Sequence, residues 1–145
     1  MKLVDLKKEN EKFEKEYKLP SFHELDRGFE IHKIDRRSDI LLKVIRKTMM
    51  EKIANSLGFV EMLLNPMNAP LMYFSYLKSM SVEDKKVLDD LYKTLSSLLL
   101  DSLETEFDYS EKKEAQMITK IFETWKKVSP DFLKIIRNVK NPRNL

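Results

Sequence analysis

Apolar residues recur along this chain at steps of three and four, the spacing that lines one side of an α-helix. The longest unbroken example is residues 35–64, in which Leu41, Ile45, Met49, Ile53, Leu57, Val60 and Leu64 fall along one edge. Asp35, Ser38 or Asp39 can cap its start. Gly58 is a point where it can bend, at about 1 kcal/mol relative to Ala. Pro66 ends it, because the residue before a proline is driven out of the helical region. The pattern predicts a long central helix whose oily edge the other segments must cover.

Those segments are also helical by their spacing. In residues 2–18, Leu3, Leu6, Asn10, Phe13 and Tyr17 form a short heptad-like seam with Asn at an inner position, an arm suited to lie on its own bundle or on a second subunit. Leu19-Pro20 breaks it, and Ser21 with Glu24 has the capping-box spacing that starts a short helix burying Phe22, Leu25 and Phe29. Phe29 to Ile34 alternates in part like a strand but has nothing to pair with, so it is expected as helix or extended linker. Asn65 to Pro70 is a turn by composition, and Pro70 opens a helix to about Ser79 crowded with Leu71, Tyr73, Phe74, Tyr76 and Leu77. Ser81 caps the next helix, with Leu88, Leu91, Leu95, Leu98, Leu99 and Ser102 inward and Asp90, Asp101 and Glu104 outward. A helix from Glu111 to about Val128 is expected to bury Ala115, Ile118, Ile121, Phe122 and Trp125. Ser129-Pro130-Asp131 then reads as a break before a final helix with Leu133, Ile136 and Val139 inside. The expectation is an all-α fold: an up-and-down antiparallel bundle of five to six helices around the central one, residues 1–145 forming one domain with 1–19 as its arm.

Composition sharpens this. Two glycines and five prolines among 145 residues, with 42% hydrophobic and 35% charged, argue against a turn-rich β-protein and against disorder. The absence of cysteine removes thiolate nucleophiles and Cys-based zinc sites. No apolar run reaches the roughly 18 residues of a membrane span, and the charged amino terminus has no signal-peptide core, so a cytoplasmic protein without a membrane partner is expected. The net charge of +3 is unevenly spread: residues 80–125 carry 6 basic and 11 acidic side chains, residues 126–145 carry 6 and 1. Acidic and basic helices can meet inside one molecule, or the basic end can face a polyanion.

Candidate chemistry is sparse. His23 and His32 lack the spacing that sets two ligands on one helix face, and glycines only at 28 and 58 exclude a phosphate loop. Neither a catalytic constellation nor a cofactor is expected. The densest acidic cluster supplies Glu104, Glu111 and Glu114 as an alternative magnesium site for a hydrolase. Of these, Glu111 and Glu114 project near the stripe continued by Ile118, where a buried carboxylate needs a cation or a raised pKa. Acidic helix pairs also serve the all-helical nucleotide pyrophosphatases, but their double-acid motif is not spelled out here. Arg36, Lys43, Arg46 and Lys47 on the back of the central helix, with Lys134 and Arg137 near the end, form the candidate polyanion-binding set for nucleic acid. Leu3, Leu6, Phe13, Tyr73, Phe74 and Tyr76 form the candidate partner-binding set for self-association.

Leu19-Pro20-Ser21-Phe22-His23-Glu24-Leu25-Asp26, Phe29-Glu30-Ile31 and Leu64-Asn65-Pro66 together resemble signatures of a small all-helical archaeal family of unknown function. The resemblance implies an archaeal cytoplasmic origin and no activity, and carries over no functional residue. By elimination, the sequence favours a non-enzymatic binding or assembly module. Nucleic-acid binding and magnesium-dependent hydrolysis are the alternatives.

Overall fold

The structure, a computed structural model, describes residues 3–34 and 41–142. Among them are six α-helices and no strand: α1 (Leu3–Tyr17), α2 (Phe22–Phe29), α3 (Leu41–Leu64), α4 (Phe74–Ser79), α5 (Val82–Phe107) and α6 (Glu111–Lys140). The all-α bundle expected from the spacing is what the chain forms. Asp35, Arg36, Ser38 and Asp39, the expected start of the central helix and its caps, lie outside the described residues.

Local chemistry sets the boundaries. Ser21 and Glu24 form the reciprocal capping box at the start of α2, while Ser81 and Ser110 accept the third amides of α5 and α6. Lys18 and Glu30 adopt left-handed φ angles of 55° and 53° just after α1 and α2, reversing the chain where a helix would otherwise run on. The ambiguous stretch after Phe29 is a single 3-10 turn, Ile31–Lys33. Two more such turns, Pro66–Asn68 and Leu71–Tyr73, join α3 to α4.

α3 packs against both α5 and α6, which also pack on each other. The expected stripe is buried from Leu41 to Val60, but Leu42, Arg46, Met50, Ser56 and Leu63 are buried as well. A helix flanked on two sides buries more than one edge, and α3 runs unbroken through Gly58. The core has two clusters. The larger joins Leu6, Leu25, Phe29 and Ile31 to α3 as far as Leu57, the second half of α5 and the first half of α6; the smaller gathers Val60, Leu63, Tyr76, Leu88, Leu91 and Ile135.

α6 departs from expectation. It continues through Pro130, and its inner face is Ile118, Ile121, Trp125, Val128, Phe132, Ile135 and Val139, one seam of alternating threes and fours. Leu133 is therefore 44% exposed and Ile136 only half-buried. A proline in a helix removes one amide donor and crowds the carbonyl four residues back. Here Pro130 and Lys126 both face outward, where water can serve that carbonyl, and the packing of the seam on either side outweighs the loss.

Candidate functional site

The most unusual chemistry sits where α3, α5 and α6 meet. Arg46 occupies the inner side of α3, one turn from Leu42, Met49 and Met50, and its side chain is only 3% exposed. All three guanidinium nitrogens have partners. Nε and Nη2 donate to Glu114 Oε2 and Oε1 at 2.5 and 3.3 Å, Nη2 donates to Glu106 Oε2 at 2.5 Å, and Nη1 donates to Ser102 Oγ at 2.7 Å and to the Ser102 carbonyl at 3.5 Å. Glu114, in the first turn of α6, is completely buried. Lys43, one turn before Arg46, and Lys47, the residue after it, both reach Glu106 Oε1 at 3.2 Å.

A guanidinium and a carboxylate at this depth would each be costly alone, and the fork-to-fork geometry compensates both. Burial pulls the Arg46 pKa down, yet the hydrogen bonds and charges of Glu114 and Glu106 outweigh it and hold it above its ordinary value. Chiefly through its bond to Arg46, with Lys43 and Lys47 adding to the effect, Glu106 is pushed from 4.5 to about 2. The rim carries two phenols with raised pKa values. Desolvation and then Glu111 lift Tyr17 to about 12, and desolvation followed by Glu111 and Glu114 raises Tyr109.

This geometry revises two sets of candidate residues. Arg46 does not belong to a solvent-facing basic surface, and Lys43 and Lys47 share a carboxylate within the chain; Arg36 lies outside the described residues. Lys134 and Arg137 are exposed on α6 with no ion pair among the described residues. The magnesium set does not converge: both Glu114 oxygens accept from Arg46, while Glu104 and Glu111 are exposed on different helices. Among the described residues no three His, Asp or Glu side chains are arranged to hold a metal. His32 bonds Asp26 at 2.6 Å; burial pushes Asp26 up, but the His32 amide and ring bring its carboxyl below the usual range.

The partner set divides similarly. Leu6 and Tyr76 are core residues, Phe13 packs on the core, and Tyr73 sits edge-on to Phe59 at 5.9 Å. The arm lies on its own bundle, against α6 and α2, and Glu14 ties it there by accepting from Asn10 Nδ2 and the Phe22 amide, each at 2.6 Å. Leu3 and Phe74 remain 46% and 40% exposed. Sequence reasoning missed the outward apolar residues of α5, Leu100, Leu103 and Phe107, although their three-and-four spacing was present in the chain.

A cleft of about 990 Å³ lies between the Ile31–Lys33 turn, α3 and the second half of α6. Lys52 crosses it, donating to the Gly28 carbonyl at 2.8 Å and lying 5.4 Å from the centre of the Trp125 ring. Comparison with protein families, with characterised proteins and with solved structures finds no match for this chain.

Replacing Glu114 with Ala takes the bidentate partner from a buried guanidinium that then keeps only Glu106 and Ser102, and is expected to destabilise the protein by about 3 kcal/mol, against under about 1 kcal/mol for Lys47→Ala at the exposed rim. Denaturant unfolding checks this; similar costs for the two would refute it. Because the folded-state pKa of Glu106 is depressed, its stabilising effect is complete above 4.5 and disappears as pH falls toward about 2. The melting-temperature gap between the native protein and Glu106→Gln should be constant from pH 6 upward and close in that acidic window. A gap that widens on acidification would contradict it.

Proposed function

We propose that this chain is a non-enzymatic binding and assembly module that works through apolar surface its own bundle leaves uncovered. The observation that carries this is the exposure of Met67, Leu71, Met72 and Val82 around the α3–α5 connection, at 73–88%, together with Leu100 and Phe107 on α5, at 64% and 89%. Side chains of this size are usually covered by a partner when they gather on neighbouring surface. The most perturbed ionisable cluster supports the same role, since its acids are occupied by Arg46, Lys43 and Lys47. A cytoplasmic location and the archaeal origin implied by the resemblance form part of this proposal.

Sedimentation equilibrium of the full chain is expected to give a mass above the 17.3 kDa of one copy. A single-copy mass throughout the micromolar range would contradict self-assembly.

Polyanion binding is favoured by a separate observation. Lys126, Lys127, Lys134, Arg137 and Lys140 are all exposed on the second half of α6, with no ion pair among the described residues. Such a stripe attracts phosphate backbones through counterion release. Duplex DNA should bind with an affinity that falls steeply as salt rises, and Lys134→Glu with Arg137→Glu should weaken it. Binding indifferent to salt would rule this out.

A further inference from the structure

The outward side of α5 differs from the other exposed surfaces in being complementary to itself. Lys93 and Glu104 are both exposed and have no ion-pair partner among the described residues. They stand eleven residues apart, just over three full turns, so they share one line along the helix about 16 Å apart. Leu100 lies between them on that line and is 64% exposed, while Ser97, opposite it across the midpoint, is small and exposed. Phe107 projects from the last turn, 89% exposed. Beside the first half of α5, between that helix and α3, opens a groove of about 630 Å³ lined by apolar Met62, Leu64 and Tyr92 and by polar Glu61, Asn65 and Asp89.

We infer that α5 pairs with α5 of a second copy, antiparallel, about a two-fold axis midway between Lys93 and Glu104. This rests on the assembly role proposed above and names its surface. A two-fold contact uses the same patch twice, so whatever faces a residue must lie as far beyond the axis as that residue lies before it. With the axis placed by charge, Lys93 of each copy meets Glu104 of the other and Leu100 enters the gap left by Ser97. The same register brings Phe107 level with Asp90, between Asp89 and Tyr92, where the groove opens. One axis thus satisfies a charge match, a close-packing match and a projecting ring facing a recess whose apolar lining is Met62, Leu64 and Tyr92.

The full chain is tested by sedimentation equilibrium, together with Phe107→Ala, Lys93→Glu, Glu104→Lys and the double exchange. Phe107, Lys93 and Glu104 are exposed, so these variants should fold, which circular dichroism checks. Each single charge reversal should weaken dimerisation about tenfold, because two ion pairs become two repulsions, and the double exchange should restore it. Phe107→Ala should weaken it at least as much. Dimers that ignore all these changes would overturn the α5 surface while leaving the assembly role intact. Dimers weakened by the single reversals but not restored by the double exchange would overturn the antiparallel register. A native chain that stays monomeric throughout the micromolar range would overturn both the surface and the role.

Discussion

The bidentate contact between Arg46 and Glu114 is the constraint on which the bundle's arrangement depends. It joins α3 to α6 at full burial, and through Ser102 and Glu106 it draws in α5, so one guanidinium touches all three long helices. Hydrophobic faces alone tolerate sliding and rotation, because leucine packs on leucine in many registers. A buried charge does not, since every displaced state leaves an ion without its partner. The axial position of α6 relative to α3 is therefore specified by a polar group placed among apolar ones.

This arrangement also governs what remains on the surface. By holding Glu106 ionised, Arg46, Lys43 and Lys47 turn most of the described basic side of α3 inward or toward the rim. Positive charge available to a partner consequently shifts to the second half of α6. The inner stripe of α5 is used against α3 and α6, leaving Leu100, Leu103 and Phe107 on its other side. The surfaces proposed for binding are what a three-helix contact cannot cover when one of its members is apolar on two sides.

Much of this was visible in the chain before its fold was known. The stripe from Leu41 to Val60, the cap at Ser21 with Glu24, and the inner line from Leu88 to Ser102 all follow from helical spacing and local hydrogen bonding, and the structure has them in place. Glu114 was legible as a carboxylate near an apolar stripe in need of a cation. Arg46 was not recognised as that cation, because it was grouped with Arg36, Lys43 and Lys47 on the back of the helix, although its azimuth falls within the apolar stripe. Its neighbours at Leu42, Met49, Met50 and Ile53 were the signal that it lies inside. Pro130 misled in the opposite way: local preference predicts a stop, whereas the seam from Ile118 to Val139 keeps its phase across it, and tertiary packing prevails over propensity. The course of the arm was open because Leu6, Asn10 and Phe13 suit any apolar surface, and only the packed structure shows the surface to be its own bundle.

The most direct measurement is a double-mutant cycle between Arg46→Met and Glu114→Met, read by denaturant unfolding. If the pair fixes the bundle, Arg46→Met leaves Glu114 buried without its cation, Glu114→Met leaves Arg46 dependent on Glu106, and both changes together remove most of the penalty. The double variant should then be more stable than the sum of the single costs allows, by at least about 2 kcal/mol. Costs that simply add would mean that Arg46 and Glu114 act independently, and the three helices would owe their register to apolar packing alone.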